Sequence, residues 1–178
     1  LDPSKGFPES FGKSDSEVDS SALISRAKAF INVNRSEFIE GNPFLSYFEE
    51  STEVLEDLKR AEIIEKNRAL IPALIAQIYI RRYEDDQVGA KQIIYLTDAL
   101  KNINRAIKLQ NPAFISSRDS YDGRFQAIRA YVHFLYGQHI DNQDSILSYR
   151  FAIKNIDERL SLKPDDVESW KDKAKYHY

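Results

Sequence analysis

Residues 73–80 read ALIAQIYI, and residues 127–134 read AIRAYVHF. The two segments lie 54 positions apart, carry alanine at their first and fourth positions, and end in a large apolar residue. Residues three positions apart lie on the same face of a helix, and small side chains there let a neighbouring helix approach closely. The repetition therefore predicts two similar helices, each packed tightly against a partner helix.

A second repetition follows at nearly the same distance. ALKNI at residues 99–103 matches AIKNI at residues 152–156, 53 positions later, and Leu109 corresponds to Leu162. Apolar residues spaced three and four apart run through both copies, which is typical of the buried face of a helix. We therefore expect a duplicated helical hairpin, at about residues 70–112 and 121–164. The predicted packed seams contain Ile93, Leu96, Leu100, Ile103 and Ile107 in the first copy and Ile146, Tyr149, Ile153, Ile156 and Leu160 in the second.

The sequence before the first hairpin divides into an arm and helices. Residues 1–20 are rich in proline, glycine, serine and acidic side chains, so we expect an extended or disordered arm there. A helix is expected to begin at Ser20 or Ser21. Asn42-Pro43 is typical of a helix start, because proline is tolerated at the first helical position. The helix that follows has an acidic face, which we expect to be solvated; its residues are Glu49, Glu50, Glu53, Glu56 and Asp57.

Proline and acidic residues also divide the rest of the chain. Pro72 would disrupt a helix interior, so a new helix is expected to start at about Leu70. The acidic run at residues 84–86 predicts the turn to its partner helix. Asp165, with Glu168 three positions later, resembles a capping box and predicts a last helix over residues 165–178. Strand patterns are almost absent, so we predict a single all-α domain over residues 21–178, with about six to seven helices.

Composition excludes several classes of protein. Of the 178 residues, 42% are hydrophobic and 30% are charged, as in a soluble globular protein. The longest apolar run, residues 69–80, is shorter than the roughly 20 residues that a bilayer-spanning helix needs. The net charge of −3 predicts no bulk attraction to nucleic acid. The absence of cysteine excludes disulfides, thiolate metal sites and a cysteine nucleophile.

Near the carboxyl end, the sequence resembles the tetratricopeptide (TPR) family. Ala152, Ile156, Leu160 and Pro164 correspond to the end of one TPR repeat, and residues 165–170 (DDVESW) to the start of the next. The resemblance covers about thirty residues and is fainter over residues 99–112. Two features depart from the family: the copies are 53 residues apart rather than roughly 34, and Arg159 stands where a small residue is usual.

The resemblance implies an array of stacked antiparallel hairpins, right-handed as in the TPR family, with a concave groove lined by the first helix of each pair. Such a module acts as an adaptor or scaffold that binds a peptide or helix of a partner protein. Side chains on the first helices are then the candidates for partner binding. They are Gln77, Arg81, Arg124, Tyr131, Lys171 and Lys175.

We find no pattern that predicts catalysis or a cofactor. His133, His139 and His177 lie on separate segments without the spacing of metal ligands, and His133 is expected to be a surface or partly packed histidine. The glycines are scattered singly, so no phosphate-binding loop is present. We therefore expect a non-enzymatic protein with no catalytic residues, no metal and no cofactor.

Three alternatives stay open. The polar arm and the absence of methionine also fit a tethered, lipoprotein-like accessory subunit of a bacterial envelope or secretion complex, so the compartment is either cytoplasmic or exported after removal of an N-terminal segment. An apolar pocket with convergent polar groups would instead indicate a small-ligand-binding helical protein. Trp170, Tyr176 and Tyr178 make the last helix aromatic, which fits a homo-oligomer formed through that helix.

Overall fold

The computed structural model describes residues 19–32, 43–86, 89, 91–110, 123–140 and 143–177, and only the backbone of residues 43–49. Within these ranges there is no strand, so the predicted all-α fold of six to seven helices is confirmed. The predicted arm falls mainly on residues 1–18, which lie outside the described residues. The helices are α1 (Ser20–Asn32), α2 (Pro43–Ile64), α3 (Leu70–Asp85), α4 (Gln92–Leu109), α5 (Arg124–His139), α6 (Gln143–Leu162) and α7 (Val167–His177).

Proline and aspartate set the boundaries of the α3–α4 hairpin. α3 begins at Leu70, and Pro72 lies in its first turn, where a missing N–H breaks no helical hydrogen bond. After α3 ends, the Asp86 carboxylate accepts the backbone N–H of Lys91 at 2.9 Å, and the Asp86 carbonyl accepts the side-chain amide of Gln92 at 2.9 Å. Asp86 therefore connects the two helices, within the acidic run predicted to turn the chain.

Consecutive helices pack as antiparallel pairs: α1 with α2, α3 with α4, and α5 with α6. In the first pair, Arg26 on α1 reaches Glu53 and Asp57 on α2 at 2.7 and 2.8 Å, whereas Ser20 at the start of α1 bonds to Glu65 just past the end of α2. The pairs are stacked, because α3 also packs on α1 and α2, α4 and α5 pack together, and α7 packs on α6.

Several equivalent positions of the two repeated segments are buried in both copies, but Ala73 is buried whereas Ala127 is half-buried, so the expected tight packing at the first alanine is wrong in the second copy. Ala76 and Ala130 have no exposed surface, and neither have the repeated pairs Ala99–Ala152 and Ile103–Ile156. Asn102 and Asn155 are also equivalent, and each donates its side-chain amide to the carbonyl four residues earlier, at 2.8 and 2.6 Å. The α3–α4 and α5–α6 hairpins thus share both their tightest contacts and a local hydrogen bond.

Two residues expected in the seams lie outside them. Ile93 is 43% exposed and Ile146 is 54% exposed, so the prediction that both are packed is wrong. On α4, Tyr95 takes the buried place and stacks on Tyr79 of α3, with ring centroids 6.5 Å apart. The buried face is therefore rotated away from Ile93, since residues two apart on a helix point in very different directions.

The acidic face of α2 is also less solvated than expected. Asp57 is buried, and its carboxylate accepts a hydrogen bond from Arg26 of α1 at 2.8 Å. The prediction of a wholly solvated face is wrong at this residue, because α1 packs along that flank and brings a cation with it. Glu53, in contrast, is largely exposed.

We predict that Ala76→Leu and Ala130→Leu each destabilise the fold by about 1–3 kcal/mol, because extra methyl groups have no space in a closed seam. Ala174→Leu is the matched control, since Ala174 is exposed on α7. Urea denaturation followed by circular dichroism measures the change. Unchanged midpoints for both seam variants would contradict the packing described here.

Candidate functional site

A cleft of about 280 Å³ lies where α1, α3 and α5 meet. These are the first helices of the three hairpins, so the cleft occupies the position expected for a groove along first helices. Its surface is mostly aliphatic, with four polar side chains at its edges. The residues that line it are Ile31, Gln77, Ile80, Arg81, Glu84, Ala127, Ile128 and Tyr131.

The polar side chains from α3 follow a helical spacing. Gln77, Arg81 and Glu84 stand at positions i, i+4 and i+7, so they lie along one face of the helix. Ile80 lies beside them and contributes apolar surface to the same cleft. The sequence of α3 therefore gives the cleft an aliphatic floor next to a row of polar groups.

Arg81 holds α1 in place while lining the cleft. Its guanidinium donates a hydrogen bond to the backbone carbonyl of Ile31 at 2.6 Å. Ile31 lies in the last turn of α1, where carbonyls have no partner within the helix, so Arg81 caps that end. The cap also positions the Ile31 side chain at the cleft.

Tyr131 and Glu84 join α5 to α3 across the cleft. The Tyr131 hydroxyl donates a hydrogen bond to the Glu84 carboxylate at 3.0 Å. Burial, and then the negative charge of Glu84, raise the pKa of Tyr131 above its ordinary value of 10. The hydroxyl therefore stays protonated at neutral pH and remains a hydrogen-bond donor.

Gln77 differs from the other polar residues of the cleft. Its side-chain amide makes no hydrogen bond to any of the described residues, although the residue is half-buried. An amide carries two donor hydrogens and an acceptor oxygen, which can bond to water or to a bound partner. Gln77 is therefore the group in this cleft with the most unused hydrogen-bonding capacity.

Three of the six candidate residues from the sequence, Gln77, Arg81 and Tyr131, lie together in the cleft. Lys175 of α7 is nearby, with its ammonium 6.0 Å from the ring centre of Tyr131 and 4.7 Å from that of Phe134. The remaining two candidates are elsewhere. Lys171 pairs with Glu168 on exposed surface at 2.7 Å, and Arg124, the first residue of α5, is exposed and does not line the cleft.

Five of the eight residues that line the cleft are not among the candidates from the sequence; they are Ile31, Ile80, Glu84, Ala127 and Ile128. The i+7 spacing of Glu84 to Gln77 is a signal for its place in the cleft, although the acidic run at residues 84–86 predicts a turn. Ile31 gave no signal, because its place depends on how α1 packs against α3, which local sequence does not encode.

Arg159, unusual for the TPR family, attaches α7 to α6. Its guanidinium contacts the Asp166 carboxylate at 2.5 Å and donates to the Ser169 hydroxyl at 2.9 Å. Ser169, and then Arg159, hold the pKa of Asp166 below its ordinary value of 3.8. α7 begins at Val167, so the expected start at Asp165 is wrong: Asp166 makes the contacts that fix this end.

The aromatic residues of α7 have different environments. Tyr176 is buried and stacks on Phe134 of α5 with ring centroids 4.6 Å apart. Trp170 is 51% exposed, and its ring N–H donates to the carbonyl of Pro164 at 2.9 Å. Tyr178 lies outside the described residues. Homo-oligomerisation through α7 stays a prediction.

We predict that Asp166→Ala loosens α7 alone, because Arg159 and Ser169 lose their shared partner. Hydrogen bonds to charged groups are worth about 1.5–3 kcal/mol, so amide exchange in residues 167–177 should become about tenfold faster or more. Hydrogen exchange with mass spectrometry measures this, with Asp165→Ala as the matched control because Asp165 is exposed. Equal exchange in the two variants would refute the role of Asp166.

His133 is a partly packed histidine, with its ring 5.3 Å from that of Phe151. Burial, and then the nearby charge of Arg129, lower the pKa of His133 to about 4 from its ordinary value of 6.5. It is therefore neutral at pH 7. Among the described residues, no group of three or more His, Cys, Asp or Glu side chains is arranged to hold a metal ion.

The lowered pKa of His133 predicts a pH dependence of stability. The unfolded chain binds this proton more readily than the folded one, so the contribution of His133 to stability is full above about pH 6.5 and declines as the pH falls towards 4. NMR titration should place the midpoint of His133 near pH 4. His133→Gln should flatten the fall in denaturation midpoint between these pH values, whereas His177→Gln, at an exposed position, should leave it unchanged.

Comparison with known protein families, curated proteins and solved structures finds no match to this chain. In the part of the chain that the structure describes, no helix has both the length and the apolar character needed to cross a membrane.

Proposed function

We propose that this protein is a non-enzymatic protein–protein interaction module, a TPR-like adaptor or scaffold that binds a peptide or helix of a partner in the cleft. The observation that carries the proposal is the cleft itself, which is formed by the first helices of three successive hairpins. It combines an aliphatic floor with an amide, Gln77, that has no partner among the described residues.

The cleft is large enough for a protein side chain and small for a ligand pocket. Pockets for small ligands usually have volumes of roughly 300–1,000 Å³, and this cleft, at about 280 Å³, lies at the lower limit of that range. A space of this size suits one or two apolar side chains of a peptide or helix, the anchors typical of helix-in-groove recognition. This supports a protein partner over the small-ligand alternative.

The polar edge suits the backbone of a bound segment. A peptide whose side chain enters between Ile80 and Ile128 brings its own N–H and C=O groups close to α3. Gln77 can both donate to and accept from such groups, and Arg81 has donors beyond the one that caps α1. The partner thereby gains hydrogen bonds at its backbone, while the aliphatic floor provides most of the buried apolar area.

The alternative of a tethered accessory subunit depends on residues 1–18, which lie outside the described residues. The described residues that line the cleft belong to α1, α3 and α5, so a tethered protein could use the same binding surface. The adaptor proposal therefore concerns the helical domain and is compatible with either compartment.

We expect random linear peptides displayed on phage to yield binders whose affinity depends on the cleft. Ala127→Phe should fill the cleft, and Gln77→Ala should remove the unpaired amide; each should weaken binding by about tenfold or more, as at interface hot spots. Ala22→Phe, at an exposed position of α1, is the matched control. Fluorescence polarisation measures the peptide affinities of the cleft variants and of the control, and circular dichroism checks that each variant is folded.

Binders that tolerate both cleft variants as well as the control would show that the cleft is not a peptide site. If binding is lost only in Ala127→Phe, the apolar floor is sufficient and the proposed role of Gln77 is wrong.

A further inference from the structure

The exposed surfaces of α4 and α6 share a pattern that the cleft does not use. Each helix exposes two adjacent aliphatic residues in its first turns and a lysine seven or eight positions later, and the two sets are related by the same 53-residue offset as the seams. We call this surface the outer face. It consists of Ile93 (43% exposed), Ile94 (58%), Lys101, Ile146 (54%), Leu147 (50%) and Lys154.

The two helices that carry the outer face are linked through α5. Arg129 of α5 donates to Asn155 of α6 at 2.5 Å and reaches Asn104 of α4 at 3.4 Å, so one guanidinium spans both helices. α4 and α6 each run antiparallel to α5, so α4 and α6 point in the same direction. Their first turns, with the aliphatic pairs, are therefore at one end of the stack, and Lys101 and Lys154 lie further along it.

The outer face is positively charged within an acidic chain of net charge −3. Four exposed cations on α4 and α6 make no hydrogen bond or ion pair with any described residue; they are Lys101, Lys108, Arg150 and Lys154. Most carboxylates of the two helices are paired or shielded. Asp157 binds Lys173 at 2.7 Å, Glu158 binds Arg129 at 3.1 Å, and Asp98 is half-buried, which leaves Asp144 exposed at the start of α6.

We propose that the outer face is a second docking surface, which binds an acidic amphipathic segment of a protein partner. Aliphatic side chains of that segment cover Ile94 and Leu147, and its carboxylates pair with Lys101 and Lys154. Charge complementarity argues for this occupant, because a face with unpaired cations attracts an acidic surface and disfavours a basic one. The exposed aliphatic residues, most of them about half exposed, provide the apolar contact.

The acidic groups at one end of the face favour a protein over an anionic membrane. Membrane binding would require the aliphatic pairs to insert among the lipids. Asp144 lies in the same turn of α6 as Ile146 and Leu147, so it would be carried to the membrane with them. Asp86, which precedes α4, lies at the same end and bonds to Lys91 beside the first pair. Anionic lipid headgroups would repel both carboxylates, whereas a protein segment can place a cation or a neutral group there.

The test uses the full chain with Ala127→Phe, so that the cleft is filled and does not contribute. Random linear peptides displayed on phage are selected on this variant. We expect the recovered peptides to combine Asp or Glu with Leu, Ile or Phe, and their binding to weaken as salt concentration rises. Their affinity should fall by about tenfold or more in Lys101→Glu/Lys154→Glu and in Ile94→Ser/Leu147→Ser.

Matched controls are Lys28→Glu/Lys59→Glu, at exposed lysines of α1 and α2, and Ile63→Ser, at a residue of α2 that is more exposed than any aliphatic residue of the outer face. Peptides without an excess of acidic residues, or peptides that bind the outer-face variants as well as the controls, would overturn the proposal. The proposal would also be overturned if no peptide were recovered and the protein sedimented with phosphatidylserine vesicles in a way that depended on Lys101 and Lys154. None of these results bears on the cleft, because it is filled throughout.

Discussion

Close contact at four alanines is the constraint on which this structure depends. Ala76, Ala99, Ala130 and Ala152 are fully buried where the two helices of a hairpin meet. A methyl group at such a position lets the helix axes approach to the short end of the usual 8–10 Å. Larger buried residues, Ile103 among them, fill the space on either side, so apolar packing sets the spacing of the helices.

The cleft and the outer face lie on different helices of the stacked hairpins. First helices line the cleft, and the second helices α4 and α6 carry the outer face. α5 contributes to both: Tyr131 lines the cleft, whereas Arg129, two residues earlier, spans α4 and α6 beneath the outer face. The hairpins therefore present first helices to one surface and second helices to the other. This division follows from stacking antiparallel pairs, in which first and second helices alternate along the chain.

Local sequence patterns predicted the helices and their seams, because helical periodicity and proline positions act over a few residues. They predicted the starts at Ser20, Pro43 and Leu70, whereas Gln77 and Tyr131 were candidates only through the resemblance to the TPR family. They failed where a residue depends on a distant part of the chain. Asp57 is buried because Arg26 of another helix pairs with it, and no spacing within α2 reveals that cation.

Arg81 performs two tasks with one guanidinium: it lines the cleft and caps the carboxyl end of α1. Gln77, one turn earlier, makes no hydrogen bond within the described structure. Under the proposed function, replacing Arg81 would therefore alter stability and partner binding together, whereas replacing Gln77 would alter partner binding and break no hydrogen bond among the described residues. Of these two neighbouring positions, Gln77 is thus the one at which engineering could vary the proposed binding surface without removing a contact that holds α1 to α3.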